Sequence, residues 1–353
     1  MEKELRLMKG NEAVAEAAIR AGVDGYFGYP ITPQSEILEY LMEANPYKTT
    51  GMVVLQAESE IAAINMVYGG AACGKKVMTS SSSPGISLKQ EGISYIAGAE
   101  LPCLIVNVVR GGPGLGTIQP SQSDYFQSTK GGGHGDYHLI VLAPASVQEM
   151  ADFVELAFDL AFKYRNPALI LSDGAIGQMM EKVYLGPQKE RSDTVPGWAT
   201  TGKPATRERN IITSLDLDPY AQEIHNHKLQ AKYREIEKSE VRFEEFMTED
   251  AEYLLVAYGT SARVSMKTLR EAREAGIKAG LLRPITLYPF PSARIRELAP
   301  RMKHIISVEM SAGQMVEDVM LACCGKTRVS HFGRLGGVLP TPEEVFEYLK
   351  SNL

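Results

Sequence analysis

The sequence predicts an α/β protein built on a mainly parallel sheet and followed by a second, smaller α/β domain. Helix-like and strand-like segments alternate from residue 10 to about residue 180, and the alternation resumes at Glu252. Leu101–Val109 is a continuous apolar run, which is typical of a strand buried on both faces. Alternation of this kind indicates a parallel sheet covered by helices.

Local signals define the elements of the first part. Asn11–Ala21 is a short Ala-rich helix that ends at Gly22. A second helix is predicted from Thr32 to about Glu43, with Thr32 as its N-cap and Pro33 at its first position. The remaining predicted helices are Ala57–Ala72, Leu88–Ala97 and Ser146–Tyr164. The remaining predicted strands are Val23–Tyr29, Met52–Leu55, Lys76–Ser80, His138–Leu142 and Ala168–Leu171.

The alternation is interrupted between about residues 181 and 250. Val183–Ile212 is rich in Pro, Gly, Thr and charge, and Tyr220–Met247 is highly charged, which predicts a solvated helical arm. Strands are predicted beyond this stretch at Tyr253–Tyr258, Ile277–Leu282, His304–Glu309 and Thr327–Phe332. The helices between and after them are Ser261–Ala275, Ser292–Leu298, Gly313–Cys323 and Pro342–Leu349. We therefore divide the chain into an α/β domain (1–185), a connector with a charged arm (186–250) and a second α/β domain (251–353).

Bulk properties exclude several classes of function. The net charge of the 353 residues is −6 and no strong basic block occurs, so nothing indicates binding to nucleic acid or to an anionic membrane. No stretch approaches the roughly 18 apolar residues of a membrane-spanning helix. The charged start Met1–Arg6 lacks the apolar core of a signal peptide, and we expect a cytoplasmic protein.

The cysteines do not form a metal-binding pattern. Cys73, Cys103, Cys323 and Cys324 contain no C-x-x-C pair, and their spacing fits neither zinc nor an iron–sulfur cluster. We expect buried thiols and no metal site on this chain.

Candidate binding loops follow the predicted strands. Open α/β sheets bind ligands outside the carboxyl ends of their strands. Four segments lie there: Gly28–Pro33, the turn that carries Glu60, Ser80–Gly85 and Arg110–Thr117. Neither the G-x-G-x-x-G fingerprint of dinucleotide-binding proteins nor the G-x-x-x-x-G-K-[ST] phosphate loop occurs in the sequence.

Glu60 is the most informative acidic residue. It lies at the start of an apolar, Ala-rich helix, where a carboxylate that faces inward needs a partner or a function, because burial of an unpaired charge is costly. The alternative is a solvated helix N-terminus, at which Glu58 and Glu60 favour the helix dipole.

Arg110 and Thr32 are polar residues at the ends of apolar strands. The guanidinium of Arg110 offers a bidentate fork to a carboxylate, and the alternative is an internal ion pair with a nearby acid. The hydroxyl of Thr32 is able to cap its helix, to bind a ligand, or to do both.

Four segments together resemble a known family. Gly28–Ser35, Glu58–Ile64, Ser81–Leu88 and Arg110–Gly114 resemble, in order and spacing, the alpha subunit of 2-oxoacid:ferredoxin oxidoreductases. The resemblance extends over essentially the whole chain and is greatest to the 2-oxoisovalerate type, with the 2-oxoglutarate and pyruvate enzymes as near relatives.

The resemblance implies a thiamine-diphosphate pyrimidine-binding domain and a transketolase C-terminal-like domain. It implies that Glu60 is the carboxylate that activates the cofactor's aminopyrimidine, and that Thr32 and Arg110 hold the 2-oxoacid. The residues implied at the cofactor pocket are Pro30, Ile31, Ser82 and Ser83. The implied reaction is oxidative decarboxylation of a branched-chain 2-oxoacid to acyl-CoA, CO₂ and reduced ferredoxin.

The resemblance also implies partners. The family's diphosphate–magnesium motif, G-D-G followed by Asn some 25 residues on, is absent, and Ser172-Asp173-Gly174 is the nearest string. A beta subunit is therefore implied to hold the diphosphate and Mg²⁺, and ferredoxin-like and gamma subunits complete the complex and carry the iron–sulfur clusters. Ferredoxin and coenzyme A are the implied co-substrates, and two alpha units are expected to pair within the complex.

Four alternatives remain open at this point. The first is that the substrate is 2-oxoglutarate, and the second is that the chain is a non-catalytic interaction subunit of such a complex. The third is a self-contained thiamine enzyme such as a transketolase or a sulfopyruvate decarboxylase. The fourth is a purely structural α/β protein.

Overall fold

The computed structural model describes residues 4–192 and 194–353. Met1-Glu2-Lys3, on which the prediction about a signal peptide partly rests, and Asp193 of the predicted connector lie outside the described residues. In the part that is described, no helix combines the length and the apolar character needed to cross a membrane.

The larger sheet has seven strands in the order β12-β6-β7-β5-β4-β2-β3. They are β2 (Gly25–Gly28), β3 (Val53–Gln56), β4 (Val77–Ser81), β5 (Leu104–Val109), β6 (Ile140–Leu142), β7 (Ala168–Asp173) and β12 (Thr286–Tyr288). All pairings are parallel except that of β12 with β6. Every residue of β4, β5 and β7 is buried, which confirms the predicted mainly parallel α/β sheet.

Helices connect these strands and cover the sheet. They are α1 (Gly10–Arg20), α2 (Ser35–Ala44), α3 (Glu60–Ala72), α4 (Pro84–Gly98), α5 (Tyr125–Thr129), α6 (Val147–Tyr164) and α7 (Gly174–Gln178). The short helices α5 and α7 were not predicted, because neither is long enough to show a helical repeat of apolar residues.

The prediction that Thr32 caps a helix is wrong. Helix α2 begins at Ser35 with Gln34 as its N-cap. The N–H of Gln34 donates to the carbonyl of Ile31 at 3.0 Å, so residues 31–34 form a turn before the helix. The side-chain amide of Gln34 also donates to the carbonyl of Tyr29, at 3.1 Å. This turn leaves the Thr32 side chain exposed at the end of β2.

Two further helix starts differ from the prediction. Helix α3 begins at Glu60 and not at Ala57, because the Ser59 hydroxyl caps it by accepting the N–H of Ala62 at 3.2 Å. Helix α4 begins at Pro84, four residues before the predicted start at Leu88, with the proline in its first turn. Both corrections move a helix N-terminus towards the candidate loops.

A two-stranded antiparallel sheet was also missed. Strand β1 (Glu4–Lys9) pairs with β8 (Met180–Leu185), which lies at the start of the segment read as irregular. Both strands carry many charges and exposed residues, so they lack the apolar run used to find the other strands.

The smaller sheet has five strands in the order β14-β13-β10-β11-β9. They are β9 (Phe243–Phe246), β10 (Tyr253–Val256), β11 (Ala279–Pro284), β13 (His304–Glu309) and β14 (Arg328–Gly333). Its helices are α9 (Gly259–Glu274), α10 (Ser292–Leu298), α11 (Met315–Cys323) and α12 (Pro342–Lys350). Two strands cross the predicted divisions: β9 precedes residue 251 but pairs with β11, whereas β12 follows it but joins the larger sheet.

The charged arm is helix α8 (Pro219–Ser239), and it is not solvated on all sides. Leu229, Tyr233 and Ile236 are buried, although the rest of the helix is largely polar and exposed. Lys228 and Lys232 both pair with Glu100 at the end of α4, which holds the arm against the larger sheet's helices.

The cysteines are only partly as expected. Cys103 and Cys323 are buried, whereas Cys73 and Cys324 are exposed, and all four are free thiols. Burial raises the pKa of the Cys103 thiol to about 12, so this side chain behaves as a small apolar group.

Candidate functional site

Glu60 is a buried carboxylate at the first residue of α3. Only 6% of the residue is exposed, whereas Glu58, two residues earlier, is exposed. Among the described residues, the Glu60 carboxylate has no hydrogen-bond or salt-bridge partner. Because buried carboxylates are normally hydrogen-bonded, the geometry favours a ligand-binding role over the solvated-terminus alternative.

The backbone of Gly85 approaches this carboxylate closely. A Cβ added at Gly85, in the first turn of α4, would overlap the hydroxyl of Ser81 and lie 2.7 Å from Oε1 of Glu60. The hydroxyls of Ser81 and Ser82 are buried and have no hydrogen-bond partner. Glu60, the Ser81 hydroxyl and the backbone of Gly85 therefore form a small polar cluster between the N-terminal ends of α3 and α4, which we call the cradle. Its carboxylate and hydroxyl have no hydrogen-bond partner among the described residues.

Ser83 is used differently from Ser82. Its hydroxyl donates to Oδ2 of Asp124 at 2.8 Å and accepts the backbone N–H of Arg110 at 3.1 Å. The side-chain amide of Asn107 donates to the same Asp124 oxygen at 2.9 Å. Burial raises the pKa of Asp124, and the bonds from Asn107 and Ser83 oppose that rise. Ser83 thus ties the loop after β4 to the end of β5.

Arg110 lies where β5 ends, and only 8% of it is exposed. Its Nη1 donates to the carbonyl of Thr32 and its Nη2 to the carbonyl of Leu115, each at 3.0 Å. The buried Nε has no partner, and Arg110 forms no ion pair within residues 4–192 and 194–353. The ion-pair alternative is therefore wrong for the described chain, and the guanidinium keeps unused donors.

The structure brings the predicted site loops to one edge of the larger sheet. The bond from Arg110 to the Thr32 carbonyl joins the loop after β2 to the loop after β5. In the first of these loops Pro30 and Thr32 are exposed and Ile31 is half-buried. Their side chains therefore remain accessible to a ligand or to another chain.

A cavity of about 600 Å³ separates Arg110 from the second α/β unit. Its lining includes Ser83, Arg110 and Asp124 on one side and Met310 and Leu335 on the other. The N–H of Gln122 donates to the carbonyl of Met310 at 2.9 Å, which fixes the two sides together. The volume suits a small molecule.

Asp173 belongs to the string that is most similar to a diphosphate-binding motif, but its carboxylate is hydrogen-bonded within this chain. Its carboxylate accepts the N–H groups of Ala175 and Ile176 and the hydroxyl of Thr260, at 2.9 to 3.2 Å. Burial raises the pKa of Asp173, and these bonds oppose the rise. Among the residues whose placement is described, no group of three or more Asp, Glu, His or Cys side chains is arranged to hold a metal.

Three site residues escaped the sequence analysis. Ser81 and Gly85 lie within the motifs of the resemblance, but only the packing shows that the Ser81 hydroxyl has no partner among the described residues and that Gly85 lies against Glu60. Lys89 is completely buried, and its spacing from Ile86 and Ile93 places it on the inner stripe of α4. The helical spacing of Lys89 from these two isoleucines predicts from the sequence alone that the lysine is buried.

Gly85→Ala is expected to displace the polar groups of the cradle and to weaken ligand binding next to Glu60 at least tenfold. The added methyl would overlap the Ser81 hydroxyl and crowd the Glu60 side chain, so it displaces the two polar groups of the cradle or shifts α4. Gly69→Ala in α3 is the matched control, because its Cβ would meet nothing within 4 Å. Calorimetric titration of the assembled complex with thiamine diphosphate measures the difference, and equal affinities for the two variants would rule out the cradle as the binding site.

The two units have the fold of thiamine-dependent enzymes. A solved split-gene transketolase, an inactive beta4 tetramer, superposes with a TM-score of 0.62 over 98% of both chains, at 14% identity. A model described as the thiamine-diphosphate-binding part of pyruvate flavodoxin/ferredoxin oxidoreductases matches residues 16–248, and one described as core domain II of pyruvate:ferredoxin oxidoreductase matches residues 251–345. The chain therefore belongs to the 2-oxoacid:ferredoxin oxidoreductase family, as its motifs predicted.

Several relatives are similar over their full length. The chain is 54% identical to a ketoisovalerate oxidoreductase subunit VorB of Methanothermobacter thermautotrophicus, over 98% of this chain and 97% of that protein. It is 37% identical to a 2-oxoglutarate synthase subunit KorA of Archaeoglobus fulgidus, over 99% and 100%. A solved 2-oxoglutarate:ferredoxin oxidoreductase of Magnetococcus marinus superposes with a TM-score of 0.86 at 27% identity, over 99% of this chain and 65% of that longer one.

Proposed function

We propose that this chain is the alpha subunit of a coenzyme-A-acylating 2-oxoisovalerate:ferredoxin oxidoreductase. The observation that carries the proposal is the buried carboxylate of Glu60, which packs against the backbone of Gly85 and has no hydrogen-bond partner in the described part of the chain. The 54% identity to a protein named as a ketoisovalerate oxidoreductase subunit supports the branched-chain substrate. The reaction would convert the 2-oxoacid to acyl-CoA and CO₂ while ferredoxin is reduced.

The cradle fits the aminopyrimidine of thiamine diphosphate. Glu60 would accept a hydrogen bond from an N–H of the ring, and the hydroxyls of Ser81 and Ser82, which have no partner in the described chain, would bind the polar edge of the ring. Pro30 and Ile31 would cover its faces. When bound, the cofactor supplies a carbanion and an electron sink for decarboxylation. Ser83, which is bonded to Asp124, would position the loop and not touch the ring.

Arg110 would hold the substrate carboxylate. Its side chain is fixed by the carbonyls of Thr32 and Leu115, and its unpartnered Nε supplies a donor within a largely buried site. The exposed hydroxyl of Thr32 would donate to a keto or carboxylate oxygen of the same molecule. Two groups that hold the substrate beside the cofactor make the encounter effectively intramolecular.

The cavity next to Arg110 favours a substrate with one carboxylate and an apolar tail. Its described lining contains Arg110 as its sole cationic residue, and Asp124 adds an acidic group. A second carboxylate, as in 2-oxoglutarate, would lack a cationic partner from this chain. Met310, Leu335 and Pro113 instead provide apolar surface for a branched side chain.

A beta subunit would complete the site by covering α3 and α4. Helix α3 is apolar on almost every side and carries one charged residue, which is typical of a helix enclosed by protein. Yet Ile61 is 49% exposed and Leu88, on the neighbouring helix, is 51% exposed. Ile61 follows Glu60 directly and Leu88 lies one helical turn after Pro84, so we expect a subunit that holds the diphosphate to pack on the surface that they form.

Ile61→Asp is expected to weaken assembly with the beta subunit at least tenfold. An acidic residue in the first turn of α3 stabilises the helix, so the substitution should not lower the stability of the fold. Assembly should weaken instead, because the new charge would be desolvated in the interface. Leu217→Asp is the control, because Leu217 is 87% exposed in the connector, away from the cradle. Sedimentation of the mixed subunits measures assembly, and undiminished assembly of the Ile61 variant would contradict the proposed interface.

The remaining assignments stay predictions. Mg²⁺ would be held by the beta subunit, and the iron–sulfur clusters by the ferredoxin-like and gamma subunits. The pairing of two alpha units, the cytoplasmic location and the division at residues 185 and 250 rest on the sequence alone.

The proposed reaction is tested by co-expression with the neighbouring genes. The purified complex is assayed for reduction of a viologen dye that depends on a 2-oxoacid and on coenzyme A, with pyruvate, 2-oxoisovalerate and 2-oxoglutarate in parallel. A preference for 2-oxoisovalerate is expected. A preference for 2-oxoglutarate would overturn the substrate assignment, and inactivity with all three acids would indicate a non-catalytic subunit.

A further inference from the structure

A completely buried lysine lies one helical turn beyond Gly85. Lys89 of α4 is 0% exposed, and lysines are almost never fully buried unless they are paired. No carboxylate of the described chain lies within ion-pair distance of its Nζ. Its hydrogen bond runs from Nζ to Oγ1 of Thr79, in β4, at 2.8 Å. The amine is thus placed in the interior with a single neutral acceptor.

Glu60 is the carboxylate nearest along this face of α4, because Gly85, one helical turn before Lys89, packs against its Oε1. Strand β4 brings the hydroxyl of Thr79 but no charge, and the loop before β6 contacts Gln90 and Ser94 of α4 instead. Among the ionisable groups of the described chain, Glu60 alone acts on the charge of Lys89. Burial lowers the pKa of Lys89 to about 7, and the negative charge of Glu60 opposes that fall.

We propose that Lys89 is a positioning residue whose buried amine acts electrostatically on the Glu60 carboxylate from one helical turn beyond Gly85. The proposal rests on the proposed function, in which Glu60 binds the aminopyrimidine. Opposite charges in a site of low dielectric favour each other's ionised forms without direct contact. Gly85 packs against the Glu60 carboxylate and Lys89 follows one helical turn later on the same face of α4, so the lysine is expected to act on the cofactor through the carboxylate.

The proposal predicts a pH dependence with a definite sign. The Lys89 amine is charged below about pH 7, and its support of Glu60 is lost as the pH rises through that value. We expect the affinity of the complex for thiamine diphosphate to fall about tenfold more between pH 6 and pH 8.5 in the native protein than in Lys89→Met. The diphosphate of the cofactor itself titrates in this range, so the comparison between the two proteins isolates the lysine.

The experiment is a calorimetric titration of the cofactor-free complex with thiamine diphosphate and Mg²⁺ at both pH values. Methionine has a similar length and removes the cost of burying an amine, so the melting temperature of Lys89→Met should not fall. Thr79→Val removes the acceptor but retains the charge, and we expect it to keep most of the native pH dependence. A Lys89→Met complex with the native pH dependence would overturn the proposal, whether or not its melting temperature changes.

A parallel titration of Glu60→Gln separates this proposal from the one on which it rests. Native affinity in the Glu60 variant would show that the carboxylate does not bind the cofactor, and the proposed function would fail. Weakened binding in the Glu60 variant, together with a native pH dependence in Lys89→Met, would overturn the role of Lys89 alone.

Discussion

Replacing Glu60 with Gln is expected to lower kcat by roughly 10²- to 10⁴-fold, the usual contribution of a positioned acid–base group. The amide has the same shape as the carboxylate, but it lacks the negative charge that favours a protonated pyrimidine nitrogen. Because Glu60 has no hydrogen-bond partner in the described chain, the substitution breaks no internal bond. The fold and the melting temperature should therefore be preserved. Steady-state dye reduction by the assembled complex measures the effect.

The control for this variant is Glu58→Gln. Glu58 lies two residues earlier on the same turn but is exposed, so its substitution should leave kcat within about twofold of the native value. Near-native turnover by Glu60→Gln would show that the buried carboxylate has no part in the chemistry. Equal losses in both variants would indicate a general effect on the turn.

Arg110→Ala is expected to act mainly through KM for the 2-oxoacid. A hydrogen bond to a charged group contributes about 1.5–3 kcal/mol, which corresponds to roughly a 10- to 150-fold rise in KM. Arg110→Lys keeps the charge but loses the planar fork, and we expect it to recover only part of the affinity. Kinetics at varied 2-oxoacid concentration, with saturating coenzyme A, separate KM from kcat.

The bonds from Arg110 to the carbonyls of Thr32 and Leu115 make a control necessary. If loss of the side chain only loosens these loops, the affinity for thiamine diphosphate should fall together with the affinity for substrate. We expect cofactor affinity to change less than threefold. An unchanged KM in Arg110→Ala would exclude the guanidinium from substrate binding.

The sequence was sufficient to predict the parallel sheet and the loops that meet at its edge. An apolar run such as Leu104–Val109 is stable only as a strand between two layers of helices. Because such strands are parallel, their carboxyl ends lie at the same edge of the sheet. For the same reason the sequence predicts that Glu60, Arg110 and Thr32 belong to one site. Exposed and charged segments such as Glu4–Lys9 have no such constraint, and strand β1 was missed.

The finer features of the site depend on contacts between distant segments. The helix predicted to begin at Thr32 is preceded by a turn that Gln34 closes onto Tyr29 and Ile31. The different uses of Ser82 and Ser83 depend on Asp124, which lies some 40 residues further along the chain. Strand β12 joins the larger sheet although it follows the start of the second unit. None of these pairings leaves a local pattern in the sequence.

The most direct test of a site that is completed between subunits is a titration of thiamine diphosphate and Mg²⁺ into this chain alone and into the assembled complex. Glu60 and its cradle lie on this chain, whereas Asp173 is bonded internally and no metal-binding group is found in the described residues. We therefore expect tight binding by the complex and no measurable binding by the isolated chain. Tight binding by the isolated chain, with decarboxylation in the absence of a partner, would contradict this account.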